Sequence, residues 1–325
     1  MRPILVGLLL SLAVGCGGDS GSRSGPTSPT TPVSPSEWTL SGQVVTTVGA
    51  QPVAGATVSA ADLSATTDAT GRFEFRRATA LAGPIAVSVS AGGMLTRQTH
   101  LASPRSTPLT VDVIADRAPF DLAFYRQLVR NGLEQPEQLT VLHRWTRDAI
   151  FYLLTLDASG RRVEPEVLAM IRRELPAAFA YWTDGHYRAT VEEGTEERPA
   201  QVGLVRVTFQ RSSDDACALA TVGGNDGWMM FNLDRCGCGS VKVTPNVVWH
   251  EVGHTAGFWH VAGDHMMNRY YNEYCGSVIH QCETERWHAR IAYTRSFGNL
   301  DPDHDPESFT LIEAGLGTRP TVTCP

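Results

Sequence analysis

Lysine is almost absent from this chain: Lys242 is the only one, and the other 26 of its 27 basic residues are arginines. The arginines are scattered rather than blocked, against 34 acidic residues and a formal net charge of −7. That pattern excludes the basic stripe of a nucleic-acid-binding protein. No internal repeat is visible, which excludes a solenoid. The apolar run at residues 4–14, broken by Gly7 and Ser11, is too short to span a bilayer, which takes about 20 apolar residues. Cysteine is missing between Cys16 and Cys217. What is present is 325 residues, 42% of them hydrophobic. That suffices for real cores and leaves room for two domains with flanking segments.

The N-terminus reads as a targeting segment. Arg2 supplies a positive start and residues 4–14 have the dimensions of a signal-peptide core. The run ends in Ala13-Val14-Gly15-Cys16-Gly17. Small residues directly before a cysteine resemble a bacterial lipoprotein cleavage box, which implies that Cys16 is lipidated and anchors the exported chain in a membrane. The alternative is an ordinary secretory signal with an incidental cysteine. Gly17 rather than Asp after Cys16 points to the outer membrane or cell surface, with the periplasm as the other compartment. Six cysteines remain: Cys217, Cys236, Cys238, Cys275, Cys282 and Cys324. An even number in an exported chain implies up to three disulfides. Spacing suggests Cys275–Cys282 as one loop and Cys217 with Cys236 or Cys238 as another. The single residue between Cys236 and Cys238 is too short a spacer for the usual zinc-binding cysteine pair.

Four segments follow from composition: a lipoprotein signal at 1–16, a Gly/Ser/Pro/Thr-rich tether at 17–37, an all-β domain at 38–115 and a second domain at 116–325. In the β domain, short runs at 40–47, 53–60, 72–76, 85–90 and 109–115 are separated by turn signals, the pattern of a sandwich. Phe73-Glu74-Phe75 and Val87-Ser88-Val89 alternate to give one buried face. Gly42-x-Val44, Pro52-Val53-Ala54-Gly55-Ala56-x-Val58 and Thr67-Asp68-x-x-Gly71-x-Phe73-x-Phe75 resemble the carboxypeptidase-regulatory-like (transthyretin-like) sandwiches. The resemblance implies an accessory or spacer module without chemistry. In the second domain, residues 148–156 predict a buried strand. Residues 164–182 predict a helix with Pro165 in its first turn, Val167, Ile171, Leu175 and Phe179 on one face, and a kink at Pro176. Strands are expected at 202–209, 218–222 and 228–233, the last two joined by a glycine-rich turn. A final helix is expected at 283–297, with Trp287 and Ile291 inward and Gly298 as its cap.

The chemistry lies in residues 250–260, His-Glu-Val-Gly-His-Thr-Ala-Gly-Phe-Trp-His. Thr244-Pro245 is a good helix start, a capping hydroxyl followed by a first-turn proline. On that helix His250 and His254 stand at i and i+4, one turn apart on one face, so both imidazoles can reach one Zn²⁺. Glu251 projects beside such a metal rather than onto it. Gly257 tolerates the left-handed conformation that ends a helix, so the chain can turn and bring His260 to the same ion. Three neutral histidines leave a fourth position open, the arrangement of a catalytic zinc.

The full string resembles the metzincin protease signature, far more specific than a bare His-Glu-x-x-His. The resemblance implies an α+β domain after the sandwich, with a mixed sheet, an active-site helix and a C-terminal helix. It also implies a zinc-dependent endopeptidase acting on protein or peptide substrates, with His250, His254 and His260 as metal ligands and Glu251 as general base and acid. Metzincins place a methionine in a tight turn under the metal; Met266-Met267-Asn268 follows His260, and Met267 is the favoured floor. Val261, directly after the third histidine, departs from the major subfamilies.

Rival readings are specific. Glu273, 19 residues after His254, resembles the third ligand of thermolysin-like enzymes, but its surroundings make a poor helix and leave Gly257, His260 and the methionines unexplained. A zinc-stabilised adhesion or binding protein without turnover is the reading from another class; an intact Glu251 speaks against it. Asp234-Arg235-Cys236-Gly237 faintly resembles a matrixin cysteine latch, though a disulfide suits it better. Asp301, Asp303 and Asp305 read as a solvated acidic turn, since Pro306 and Ile312 stand where a calcium loop wants Gly and Glu. His100, His143, His186, His280, His288 and His304 read as surface or satisfied polar residues, and His265 is left open. Tyr270, Tyr271 or Tyr274 are candidates to bind an oxyanion.

Overall fold

The computed structural model describes residues 38–77, 83–101, 108–213, 217–236, 242–269, 282–307 and 321–324. The signal segment with Cys16, the tether, Cys238, Cys275, Glu273, Tyr270, Tyr271, Tyr274 and His280 lie outside them. Among the described residues no helix is long and apolar enough to cross a membrane.

The first part is a sandwich of two sheets. Strands β1 (Trp38–Thr46), β2 (Thr57–Ala60), β3 (Leu63–Thr66), β4 (Arg72–Arg77), β5 (Ile85–Ser90), β6 (Arg97–Leu101) and β7 (Leu109–Val113) form sheets of order β4-β1-β7 and β3-β2-β5-β6. Period-2 alternation buries Phe73 and Phe75 of β4 against Ile85, Val87 and Val89 of β5 in one core.

The second part opens with α1 (Leu122–Arg130), then β8 (Ala149–Leu154), α2 (Pro165–Trp182), β9 (Ala189–Gly194), β10 (Leu204–Gln210), β11 (Ala218–Thr221) and β12 (Gly227–Asn232). It continues through α3 (Pro245–Ala256), α4 (Glu283–Tyr293) and β13 (Thr321–Cys324). The sheet order is β13-β11-β12-β10-β8-β9. Strands β8, β9, β10 and β12 run parallel, while β11 is antiparallel to both β12 and β13. The apolar stripe of α2 (Val167, Ile171, Leu175 and Phe179) is buried as its spacing predicts. Pro176 sits inside α2, which runs on through it.

Five elements escaped the sequence reading: β3, β6, α1, β9 and β13. Helix α1 is nine residues long, capped by Asp121, which accepts hydrogen bonds from the Ala123 and Phe124 amides at 2.8 and 3.1 Å, and ended by Asn131 at φ 57°. Strand β9 is a polar edge strand whose Glu192 and Glu193 pair with Arg198 and Arg172. The last helix is shorter than expected: α4 ends at Tyr293, with Thr294 as its cap, and the Gly298 amide instead donates to the Leu142 carbonyl at 2.9 Å. Trp287 is only partly buried against the core, whereas Ile291 is fully inside. Cys217 and Cys236 form a disulfide, Cα atoms 4.6 Å apart, so Cys236 is neither latch nor metal ligand. Cys282 is bonded to no described cysteine.

The acidic turn is not solvated. Asp303 and Asp305 are buried, 0% and 5% exposed. Arg97 of β6 reaches Asp303 at 2.8 Å and Asp305 at 2.7 Å, and Arg295 reaches Asp303 at 2.6 Å, Thr47 at 2.8 Å and Asp112 of β7. Backbone bonds between Gln98 and residues 303 and 305 run alongside. Leu95 and Ile114 of the sandwich share a core with Phe120, Tyr125 and the rest of the second part. The sandwich is therefore cemented to the second part by buried charge and apolar packing, not spaced from it.

Candidate metal centre

Helix α3 begins as its sequence dictates. The Thr244 hydroxyl accepts from the Val247 amide at 3.4 Å and Pro245 fills the first turn. It ends at Gly257, φ 114°, whose amide closes back on the His254 carbonyl at 2.8 Å. A Cβ at Gly257 would overlap the His143 carbonyl, so sterics and conformation both require glycine. The helix is held on all sides. The indole N–H groups of Trp182 and Trp145 donate to the Trp249 and Thr255 carbonyls at 2.9 and 2.7 Å, and the Tyr293 hydroxyl donates to Ala256 at 2.7 Å. The Thr255 and Ala256 carbonyls are among those a helix end leaves without intrahelical partners.

Beyond Gly257 the chain is steered by α1. The Trp259 amide donates to the Leu128 carbonyl at 2.7 Å and the Ala262 amide to the Gln127 side chain at 2.9 Å. His260 is thereby brought back to His250 and His254. Their Nε2 atoms lie 3.0 Å (His254 to His250) and 3.2 Å (His254 to His260) apart, and all three side chains are buried. Two ligands of a tetrahedral metal with metal–nitrogen bonds of 2.0–2.1 Å stand about 3.3–3.4 Å apart.

The opposite ring nitrogens say what those Nε2 atoms carry. His250 Nδ1 donates to the Met266 carbonyl at 2.6 Å, and His254 Nδ1 to the Phe258 carbonyl at 2.7 Å. His260 Nδ1 donates to a Glu134 carboxylate oxygen at 2.7 Å. Carbonyls and carboxylates only accept, so Nδ1 holds the proton in each ring and Nε2 presents a lone pair. Burial, then the neighbouring His260, pushes His250 down to about 3, and the same causes push His254 well below the ordinary imidazole range. Both rings are thus neutral near pH 7. Three lone pairs converging at about 3 Å repel one another unless a cation sits among them. The donor set, the spacing and the outer partners fit a metal ion, and the three histidines form a group that could hold one.

Glu251 follows His250 on α3 and is fully buried. Met267 packs against the helix from below: a Cβ at Gly253 would run into its sulfur and the Trp182 ring. Met266 contributes its carbonyl to His250, so both methionines serve the turn. Their amides donate to the two oxygens of Glu285 at 3.0 and 2.8 Å, and the Val261 amide returns to the Met267 carbonyl at 3.0 Å. Sequence reasoning missed Glu134 and Glu285. Glu134 lies 126 residues from His260 and belongs to no motif; the hydrogen bond from His260 holds its carboxyl below the usual range. His288 is the satisfied polar residue expected: its Nδ1 donates to Thr284 at 2.7 Å and its Nε2 accepts from the Asp121 amide at 3.0 Å. His265 stands apart from the triad, against Cys282.

Comparison with known proteins bears mainly on the first part. Residues 39–115 match the carboxypeptidase regulatory-like domain family. Among solved structures, the chain is similar to the crystal structure of metalloproteinase-II from Bacteroides fragilis, at 12% identity and a TM-score of 0.31, over 77% of this chain and 84% of that one. A likeness at that level carries no argument about chemistry. No curated protein matches the chain.

Proposed function

We propose that the chain is an exported, lipid-anchored zinc endopeptidase of the metzincin type. The observation that carries the reading is the convergence of three proton-free Nε2 atoms beside a buried glutamate. Zinc held by His250, His254 and His260 supplies a Lewis acid that polarises the scissile carbonyl and makes water acidic. Glu251 takes the proton of the attacking water and returns it to the leaving amine. The Met266 and Phe258 carbonyls and Glu134 fix the ring tautomers, so each ligand is set before substrate arrives. The Cys217–Cys236 disulfide agrees with export to an oxidising compartment.

Metal content separates this reading from the thermolysin-like one. His260→Ala loses an equivalent of zinc that Glu273→Ala retains. Zinc lost with Glu273 and kept without His260 would move the protein to the other class, and a wild type without zinc would end both readings.

A further inference from the structure

Among the described residues, one more group of ligand-type side chains converges outside the histidine triad. His265, Cys282 and Glu285 offer a nitrogen, a sulfur and a carboxylate oxygen, all within 4.8 Å of one another. His265 Nδ1 lies 3.1 Å from Cys282 Sγ and 4.0 Å from Glu285 Oε2. A tetrahedral zinc would set those separations at about 3.6 and 3.4 Å, given bonds of 2.0–2.1 Å to nitrogen, 2.3 Å to sulfur and 2.0–2.2 Å to oxygen. The two separations from His265 are thus within about 0.6 Å of that geometry.

Glu285 is placed to accept a cation. Its carboxylate is fully buried, and among the described residues no arginine or lysine pairs with it. Two backbone amides donate to it, one to each oxygen. Each oxygen keeps a second lone pair for a cation. Cys282 stands at the N-cap of α4 with no capping bond of its own, where the helix dipole favours an anionic group. His265 and Cys282 are half-buried.

We propose that His265, Cys282 and Glu285 form a second metal site, for a borderline-soft divalent cation such as Zn²⁺, distinct from the histidine triad. Its role is structural. Glu285 holds the Met266 and Met267 amides, and the Met266 carbonyl holds His250. A metal on Glu285 pins the start of α4 to the turn that orients a ligand of the first site. The donors select the ion: thiolate and imidazole favour zinc over calcium or magnesium.

The site does not depend on the peptidase reading, and its spectrum sets it apart. In the purified chain, stripped and refilled with Co²⁺, only a thiolate ligand gives sulfur-to-cobalt charge-transfer absorption; the histidine triad gives visible ligand-field bands alone. Two cobalt equivalents and a charge-transfer band are expected. Cys282→Ser and His265→Ala each lose one equivalent, the serine variant loses the band, and the ligand-field bands of the triad persist in both. A band that survives Cys282→Ser overturns the proposal, as does a wild type with no band. So does finding Cys282 in a disulfide in freshly isolated protein, by alkylation and mass spectrometry, which would restore the Cys275 pairing suggested by spacing. Loss of the triad's bands alone would count against the peptidase reading and leave the second site standing.

Discussion

Asp303→Asn removes one negative charge from a deeply buried ion cluster while keeping its volume. Asp303 bonds Arg97 at 2.8 Å and Arg295 at 2.6 Å, and neither arginine has more than 8% of its side chain exposed. Arg295 illustrates the balance. Burial alone would weaken its hold on the proton, but Asp303 and Asp112 reverse that and keep it charged. Burial likewise works to raise Asp112, and the charges of Arg295 and Arg97 overcome it, so the carboxyl stays below its ordinary value. With Asp303 neutral, two buried guanidiniums share only Asp112 and Asp305. Removing one partner of a buried ion pair costs about 3–5 kcal/mol. At about 2–4 °C per kcal/mol for a domain of this size, the midpoint should fall by roughly 6–20 °C. Thermal unfolding followed by circular dichroism and by tryptophan fluorescence measures it. Because the cluster joins sandwich to second part, wild type and variant should each melt in one transition. A shift under about 2 °C, or a sandwich that melts separately in the wild type, would refute the reasoning and return the sandwich to the role of a spacer.

Glu134→Ala should leave the fold intact but weaken metal binding by about 10–100-fold, since it frees the ring that Glu134 orients; competition with a chromophoric chelator reads this. Acid should destabilise the protein through Asp157. Although buried, that carboxyl is held down to about 2 by hydrogen bonds from Ser159, the Arg161 amide and Arg211. A carboxyl held below its unfolded value adds stability above that value and loses it as pH falls through the folded one. Unfolding free energy should therefore drop between about pH 4 and pH 2, and Asp157→Asn should flatten that part of the curve in urea titrations.

Much of what was local in the chain could be read from it. The cap at Thr244, the i, i+4 histidines and the left-handed Gly257 are decided within a few residues of one another, and the structure places each as expected. So are the stripe of α2 and the alternation of β4 and β5. Long-range partners were not legible. Glu134 meets His260 across 126 residues, and Arg97 meets Asp303 across 206. Without Arg97 and Arg295, three alternating aspartates look like a solvated turn; with them Asp303 and Asp305 form a buried clasp, while Asp301 pairs with Arg126. Helix α1 escaped although Asp121 caps it and Tyr125, Leu128 and Val129 stand at i, i+3 and i+4 on its buried face, a helical pattern only nine residues long. The pairing of Cys217 lay between two candidates and fell to Cys236, whose Cα the fold brings to 4.6 Å.

Peptide hydrolysis and zinc content, measured on the same preparations of wild type and Glu251→Ala, decide whether the site is catalytic. Wild type should cleave members of a peptide library, and Glu251→Ala should hold as much zinc and cleave none of them. Cleavage at the wild-type rate by Glu251→Ala, or a zinc-loaded wild type that cleaves nothing, would contradict the assignment and leave a metal-stabilised binding protein.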